Sequence, residues 1–198
     1  METDRKWIVV RIDGKIAAIS TDYRMLARIS EVLARQDTGK KTGKETFYGE
    51  ITARTVCFDE VWKLRHEGGW DDLMLFGTDF QKKVWRKLWE LTHEVESHLI
   101  CYSDFAELCQ NRAGVRAVAH AIGLNPISVI IPCHLVIPKE SIDKIRNIHK
   151  KAEATIFKGD DLCISTILSD ISIDFGEYAL GKGLKRELIL KELTNDPS

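Results

Sequence analysis

The sequence predicts an α/β N-terminal half followed by a mainly α-helical C-terminal half that contains a helix-turn-helix. Three observations lead there. Trp7–Ile12 and Lys15–Ser20 are apolar, β-prone runs separated by Asp13-Gly14, a dipeptide that accepts the positive φ of a two-residue hairpin turn. Thr78-Asp79-Phe80-Gln81 has the form of a capping box, with Thr78 as N-cap and Gln81 reaching back, ahead of an apolar stripe at helical spacing. Two short helical stretches flank Arg112-Ala113-Gly114, the pattern of a helix pair joined by a tight glycine-containing turn.

Each element follows in order. After the hairpin, Met25, Leu26, Ile29, Val32 and Leu33 recur at helical spacing within 22–35. Gly39-Lys40-Lys41-Thr42-Gly43-Lys44 reads as a solvated loop whose positive charge is the alternative phosphate contact. A β-rich stretch covers about 46–58, a short helix about 59–66, and Glu67-Gly68-Gly69 breaks the pattern. The boundary between an N-terminal domain (1–76) and a C-terminal domain (77–198) is placed there. In the next helix Phe80, Val84 and Leu88 form the stripe, widened by Trp85 and Trp89; core packing explains it better than base stacking.

Ser103 is expected to cap the next helix, through Phe105, Ala106 and Leu108, and the second helix, Val115–Ile122, ends at Gly123. Ala117, Ala119 and Ala121 would let that helix approach a surface closely. Asn125-Pro126 signals a turn, and the apolar run Ile127–Ile131 leads into Pro132-Cys133-His134. Lys139–Thr155 reads as a further helix bearing Lys139, Lys144, Arg146, Lys150 and Lys151.

Composition narrows the function. With 198 residues, 44% hydrophobic and 30% charged, the chain can bury a sizeable core. Its formal charge of -1 means that nucleic-acid binding would rest on local charge placement. Five cysteines without a Cys-x-x-Cys pair argue against a disulfide framework or zinc ribbon and suit a reducing cytoplasm. The N-terminal residues lack the apolar core of a signal peptide, and no apolar run is long enough to span a membrane.

Cys133 follows an apolar run, where a cysteine is usually a small core residue. His134 beside it offers the alternative of an activated nucleophile, since the thiolate is the reactive form and imidazole a natural base. Sequence neighbours project in different directions, so a bridging water or another partner would be needed. His66, His93, His98, His120 and His149 show no metal-ligand spacing, and neither a metal nor another cofactor is expected.

The ordered set of motifs resembles the C-terminal domain of the O6-alkylguanine-DNA alkyltransferases, the methylated-DNA–protein-cysteine methyltransferases. The matching residues are Phe80-Gln81-x-x-Val84-Trp85-x-x-Leu88, Tyr102 opening the helix-turn-helix, Arg116-Ala117-Val118 on its second helix, Asn125-Pro126 before an apolar strand, Pro132-Cys133-His134, and Gly176-x-Tyr178 followed by Gly181, Lys185 and Glu192. The resemblance spans nearly all of 77–192 apart from an insertion at about 138–175.

It implies a ribonuclease-H-like N-terminal domain and a winged-helix-like C-terminal domain that binds double-stranded DNA as a monomer. It implies irreversible, single-turnover transfer of an alkyl group from O6-alkylguanine, with O4-alkylthymine as the candidate second lesion. Cys133 would be the nucleophile, His134 the base through a water, and Glu192 its orienter. Tyr102 and Lys185 would stand near the leaving oxygen, and Tyr102 would also press on the flanking DNA phosphate to assist rotation of the nucleotide. Arg116 would fill the place of the flipped nucleotide, with Ala117 and Ala119 in the minor groove. Asn125 would hold the cysteine turn at the DNA face and, with Tyr178 and Pro132, line the substrate pocket.

Departures are Leu135 in place of arginine, Thr92-His93-Glu94 in place of a Pro-x-Gly turn, Leu180 in place of glycine, and the insertion. The basic insertion helix either adds phosphate contacts or is a solvated flap. The competing functions are a non-enzymatic alkyl-lesion sensor, which the retained Cys133 disfavours, and a transcriptional regulator, which would need an effector domain.

Overall fold

A computed structural model of the chain describes residues 5–24, 27, 29, 31, 50–93, 99–153, 167, 170 and 172–194. The chain forms two compact units that interleave along the sequence, Met1–Glu90 with Leu124–Cys133, and Leu91–Gly123 with His134–Ser198.

In the first unit, β1 (Trp7–Ile12), β2 (Lys15–Ser20) and β3 (Ile51–Val56) form an antiparallel sheet of order β2-β1-β3. Asp13 (φ 50) and Gly14 (φ 77) take the left-handed conformation that a tight hairpin requires, closing the register at Ile12↔Lys15. The register slips between Val10 and Arg11, a bulge that sharpens the local twist. Positions 23, 24, 27, 29 and 31 are helical, within the helix expected over 22–35. Met25, Leu26, Val32, Leu33 and the Gly39–Lys44 stretch lie outside the described residues.

Helix α1 (Phe58–Glu67) follows β3 and packs Phe58 between Trp7 and Trp62, at ring separations of 5.8 and 5.5 Å. Gly68 closes it by donating its N–H to the Leu64 carbonyl at 3.1 Å. Helix α2 (Asp79–His93) begins with the expected reciprocal cap: Gln81 N–H donates to Thr78 Oγ1 at 3.2 Å and Thr78 N–H to Gln81 Oε1 at 2.8 Å. Val84, Trp85 and Leu88 are buried as expected, but Phe80 is 36% exposed. It sits in the first turn, one turn beyond the first buried stripe position. Gly77 lies so close to Trp85 that a Cβ there would come within 2.7 Å of Cη2.

In the second unit, β4 (Ile100–Cys101) pairs in parallel with β5 (Val136–Ile137). β4 runs straight into α3 (Tyr102–Leu108), which packs against α4 (Val115–Gly123) through a 3-10 turn at Arg112–Gly114. Ser103 is not the cap. Because no residue separates β4 from α3, the extended Cys101 occupies the N-cap position and Ser103 falls inside the first turn, its hydroxyl donating to Asp104 Oδ1 at 3.2 Å.

After β5 and Pro138 come α5 (Lys139–Glu153) and, later, α6 (Lys182–Thr194). α5 is not a solvated flap. Ile142 and Ile145 are buried in one cluster with Cys101, Ile137, Ile173 and Ile189, because its apolar residues share one face. Ser141 Oγ donates to the Asp174 carbonyl at 2.6 Å, and Lys144 Nζ to the Ser172 carbonyl at 2.6 Å. Residues 154–166, 168, 169 and 171, most of the Phe157–Phe175 stretch, lie outside the described residues, as does Glu94, while Thr92 and His93 belong to the last turn of α2. Among the described residues, no helix is long and apolar enough to cross a membrane.

Candidate active site

In the first unit the segment before Cys133 is organised by one side chain. Asn125, 2% exposed, accepts the Ile127 N–H at 3.0 Å through Oδ1, while Nδ2 donates to the Ile131 carbonyl at 2.8 Å and to Cys133 Sγ at 3.1 Å. The expected apolar strand over Ile127–Ile131 does not form. A single bridge joins Ile127 to Ile19 of β2, and the residues after it are turns. Ser128 N–H bonds to the Ile19 carbonyl at 3.1 Å beside that bridge, and beyond it Ile131 N–H bonds to the Ile127 carbonyl and Cys133 N–H to the Ile131 carbonyl, at 3.0 and 2.8 Å, so the rest of the run pairs its backbone locally.

Val129 within this turn has φ 74 while fully buried. A β-branched residue in the left-handed region costs about 1–3 kcal/mol, offset here by burial and by the Asn125 bonds. Cys133 is a buried thiol outside any disulfide, 7% exposed. An amide N–H donated to sulfur favours the thiolate over the thiol. Pro132 beside it is buried as well.

The second unit begins at the next peptide bond. His134 Nε2 lies 2.6 Å from Glu192 Oε1, with side-chain exposures of 0% and 6%. An ionised carboxylate only accepts, so with Glu192 ionised Nε2 is the donor of this pair. Lys185 lies on α6 about two helical turns before Glu192, on the same face. It is 1% exposed. Its ammonium donates to the Val136 carbonyl at 2.8 Å and the Glu177 carbonyl at 3.4 Å, and lies 5.9 Å from the Tyr102 ring centre. Within the second unit, Glu192 thus meets His134, and Lys185 meets the Val136 carbonyl and the Tyr102 ring.

Gly176 stands at φ 82, where another residue would be strained, and a Cβ there would come within 3.1 Å of Pro138. Tyr178 and Leu180 are half-buried, and Leu135 is buried at 1% exposure. On α4, Arg116 and Ala117 are exposed and Ala119 half-buried, whereas Ala121 faces the core with Val118 and Ile122. Among the described residues no cluster of His, Cys, Asp and Glu could hold a metal ion.

Arg186 was not legible as a structural residue. Its guanidinium donates to the Asp170 carbonyl at 3.0 Å and stacks 5.1 Å from the Phe175 ring, and backbone acceptors leave no side-chain signature in a sequence.

Parts of the chain are similar to known proteins. Residues 79–154 match the family model described as "6-O-methylguanine DNA methyltransferase, DNA binding domain". A probable methylated-DNA–protein-cysteine methyltransferase of Acanthamoeba polyphaga mimivirus is 46% identical over 70 residues, 35% of this chain and 45% of that protein. The methylated-DNA–protein-cysteine methyltransferase of Saccharomyces cerevisiae is 33% identical over 93 residues, 47% of each chain. The matching segments thus span about half the length of these relatives.

Among solved structures, the fold is similar to an O6-methylguanine methyltransferase of Mycobacterium tuberculosis, with TM-score 0.51 and 18% identity over 96% of both chains. It is also similar to the O6-methylguanine-DNA methyltransferase of Pyrococcus kodakaraensis strain KOD1, with TM-score 0.51 and 19% identity over 96% of this chain and 94% of that one. These likenesses support the fold alone, an α/β N-terminal region and a helical C-terminal region. Residues 79–154 thus resemble the DNA-binding domain described by that family model, and the curated relatives that match this chain over part of their length are named methylated-DNA–protein-cysteine methyltransferases.

Proposed function

We propose that the chain repairs alkylated DNA by transferring the alkyl group of O6-alkylguanine, and as a second substrate that of O4-alkylthymine, to Cys133. The observation that carries this reading is the Asn125 amide held 3.1 Å from the Cys133 sulfur, in a segment that matches the family model. Residues 1–76 form a ribonuclease-H-like domain and residues 77–198 a winged-helix-like domain that carries both binding and transfer. The protein acts as a monomer in the reducing cytoplasm, on double-stranded DNA.

An O6-alkyl carbon sits on a base edge inside the stack, so the nucleotide must be turned out before a thiolate can reach it. Arg116 takes the vacated place. Ala117 and Ala119 allow close approach to the narrow minor groove. Tyr178 and Pro132 line the pocket that receives the base. The thiol proton passes through a water to His134 Nδ1, with Glu192 holding Nε2. The sulfur–carbon bond forms as the carbon–oxygen bond breaks, and guanine leaves with the electron pair. Tyr102 and Lys185 stabilise the charge that develops on the leaving oxygen. The thioether persists, so each molecule acts once.

Intact mass after incubation with duplex DNA carrying O6-methylguanine tests this. One methyl group gained by the wild type and none by Cys133→Ala is the expected outcome. Lesion binding without any mass gain would favour the non-enzymatic sensor.

A further inference from the structure

The helix pair α3–α4 is electrostatically neutral. Arg112 and Arg116 are matched by Asp104 and Glu107, and Arg112 lies 3.9 Å from Glu107. Duplex DNA presents one negative charge per roughly 1.7 Å of its axis, so a neutral helix pair offers groove fit with little phosphate attraction.

α5, in the same compact unit, has the opposite balance. Lys139, Lys144, Arg146 and Lys150 outnumber Glu140 and Asp143 across its exposed arc. Lys144 is occupied by the Ser172 carbonyl at 2.6 Å. Lys139, Arg146 and Lys150 are exposed, and at 3.6 residues per turn they fall within roughly 20° of one line along the helix. Asp143 lies among them, 3.8 Å from Arg146 in a pair whose side chains are 68% and 55% exposed, an arrangement too solvated to sequester the guanidinium.

The topology sets where this edge begins. β4 and β5 are parallel with Cys101 opposite Ile137. Tyr102 opens α3 at the end of β4, and Lys139 opens α5 one proline past the end of β5. The first turns of the two helices therefore start from neighbouring strand ends. Buried Ile142 and Ile145 anchor α5 in the core, so the edge is rigidly held.

We infer that the Lys139–Arg146–Lys150 edge of α5 is a second contact surface for the phosphate backbone of duplex DNA, extending the footprint beyond the helix-turn-helix and resting on the DNA reading above. From Lys139 to Lys150 the helix rises about 16 Å, the axial length of roughly ten duplex charges.

The test is the salt dependence of full-chain binding to duplex DNA. Each phosphate contact contributes about 0.9 to the slope of log Kobs against log salt. The Lys139→Gln/Arg146→Gln/Lys150→Gln variant is expected to lower the slope by about 2–3. The charge-preserving Lys139→Arg/Arg146→Lys/Lys150→Arg variant should restore it. A control of equal charge, Lys6→Gln/Lys15→Gln/Lys63→Gln, uses exposed lysines of the first unit and should leave it unchanged. A steep wild-type slope that the α5 variant does not alter overturns the inference and leaves the repair reading standing. Equal losses in variant and control also overturn it, since net charge alone would then be acting. Failure of the wild type to bind duplex DNA overturns both.

Discussion

Asn125 carries more of the site than any other single side chain, because one primary amide serves an N–H, a carbonyl and a sulfur within nine residues of chain. Asn125→Ala would leave buried partners unsatisfied, at about 1–3 kcal/mol, and would withdraw the donor that favours the Cys133 thiolate. Lower stability in denaturant titration and slower iodoacetamide labelling of Cys133 at neutral pH are expected. Unchanged labelling would mean that the amide does not tune the sulfur.

Glu192 makes a comparable case in the second unit. Glu192→Gln keeps the shape but, as a neutral partner, no longer favours the Nε2–H tautomer of His134. A fall in transfer rate of tenfold or more is expected, about 1.4 kcal/mol or above in the barrier, with a melting temperature close to wild type. Single-turnover kinetics measure it.

A surface carboxylate supplies a pH test. Burial pushes the Glu90 carboxyl up, but hydrogen bonds from Lys87 and Arg86 and their charges outweigh that and hold it below its usual value. A carboxyl lowered in the folded state contributes stability above its unfolded pKa and loses it as pH falls through the folded value. The wild type should exceed Glu90→Gln by under about 1 kcal/mol at neutral pH. That gap should close as pH falls through the carboxylate range.

The elements most legible in the sequence are those whose cause is local. Asp13-Gly14 sets the hairpin through its own φ angles, and Thr78 with Gln81 sets the start of α2 through mutual hydrogen bonds. Thr78→Ala should therefore cost about 1 kcal/mol, read as a lower melting temperature with an unchanged m-value. Legibility fails where distant partners decide. Ile127–Ile131 has strand composition, yet Asn125 diverts its backbone bonds into turns, and Val129 is held at a φ its side chain disfavours. Ser103 has cap chemistry, but the helix already starts at Tyr102, with Cys101 as its N-cap, two residues too early for Ser103 to act as one.

For the molecule as a whole, the candidate site was legible as a list of residues rather than as an arrangement. Cys133, His134 and Glu192 stand out by motif, but the 2.6 Å pairing of His134 with Glu192 joins residues 58 positions apart. The burial of Lys185 against the Val136 carbonyl depends on how α6 meets β5. Leu135 is a core residue at 1% exposure, so the missing arginine costs a cation without opening a void. α5 likewise belongs to the core on one face and to solvent on the other, which composition alone could not separate from a flap. The central claim is that Cys133 accepts the alkyl group, and intact mass after exposure to O6-methylguanine duplex measures this most directly. One methyl group located on the Cys133 peptide, and absent in Cys133→Ala, is the predicted result. An unmodified Cys133 in protein that still binds the lesion would contradict it.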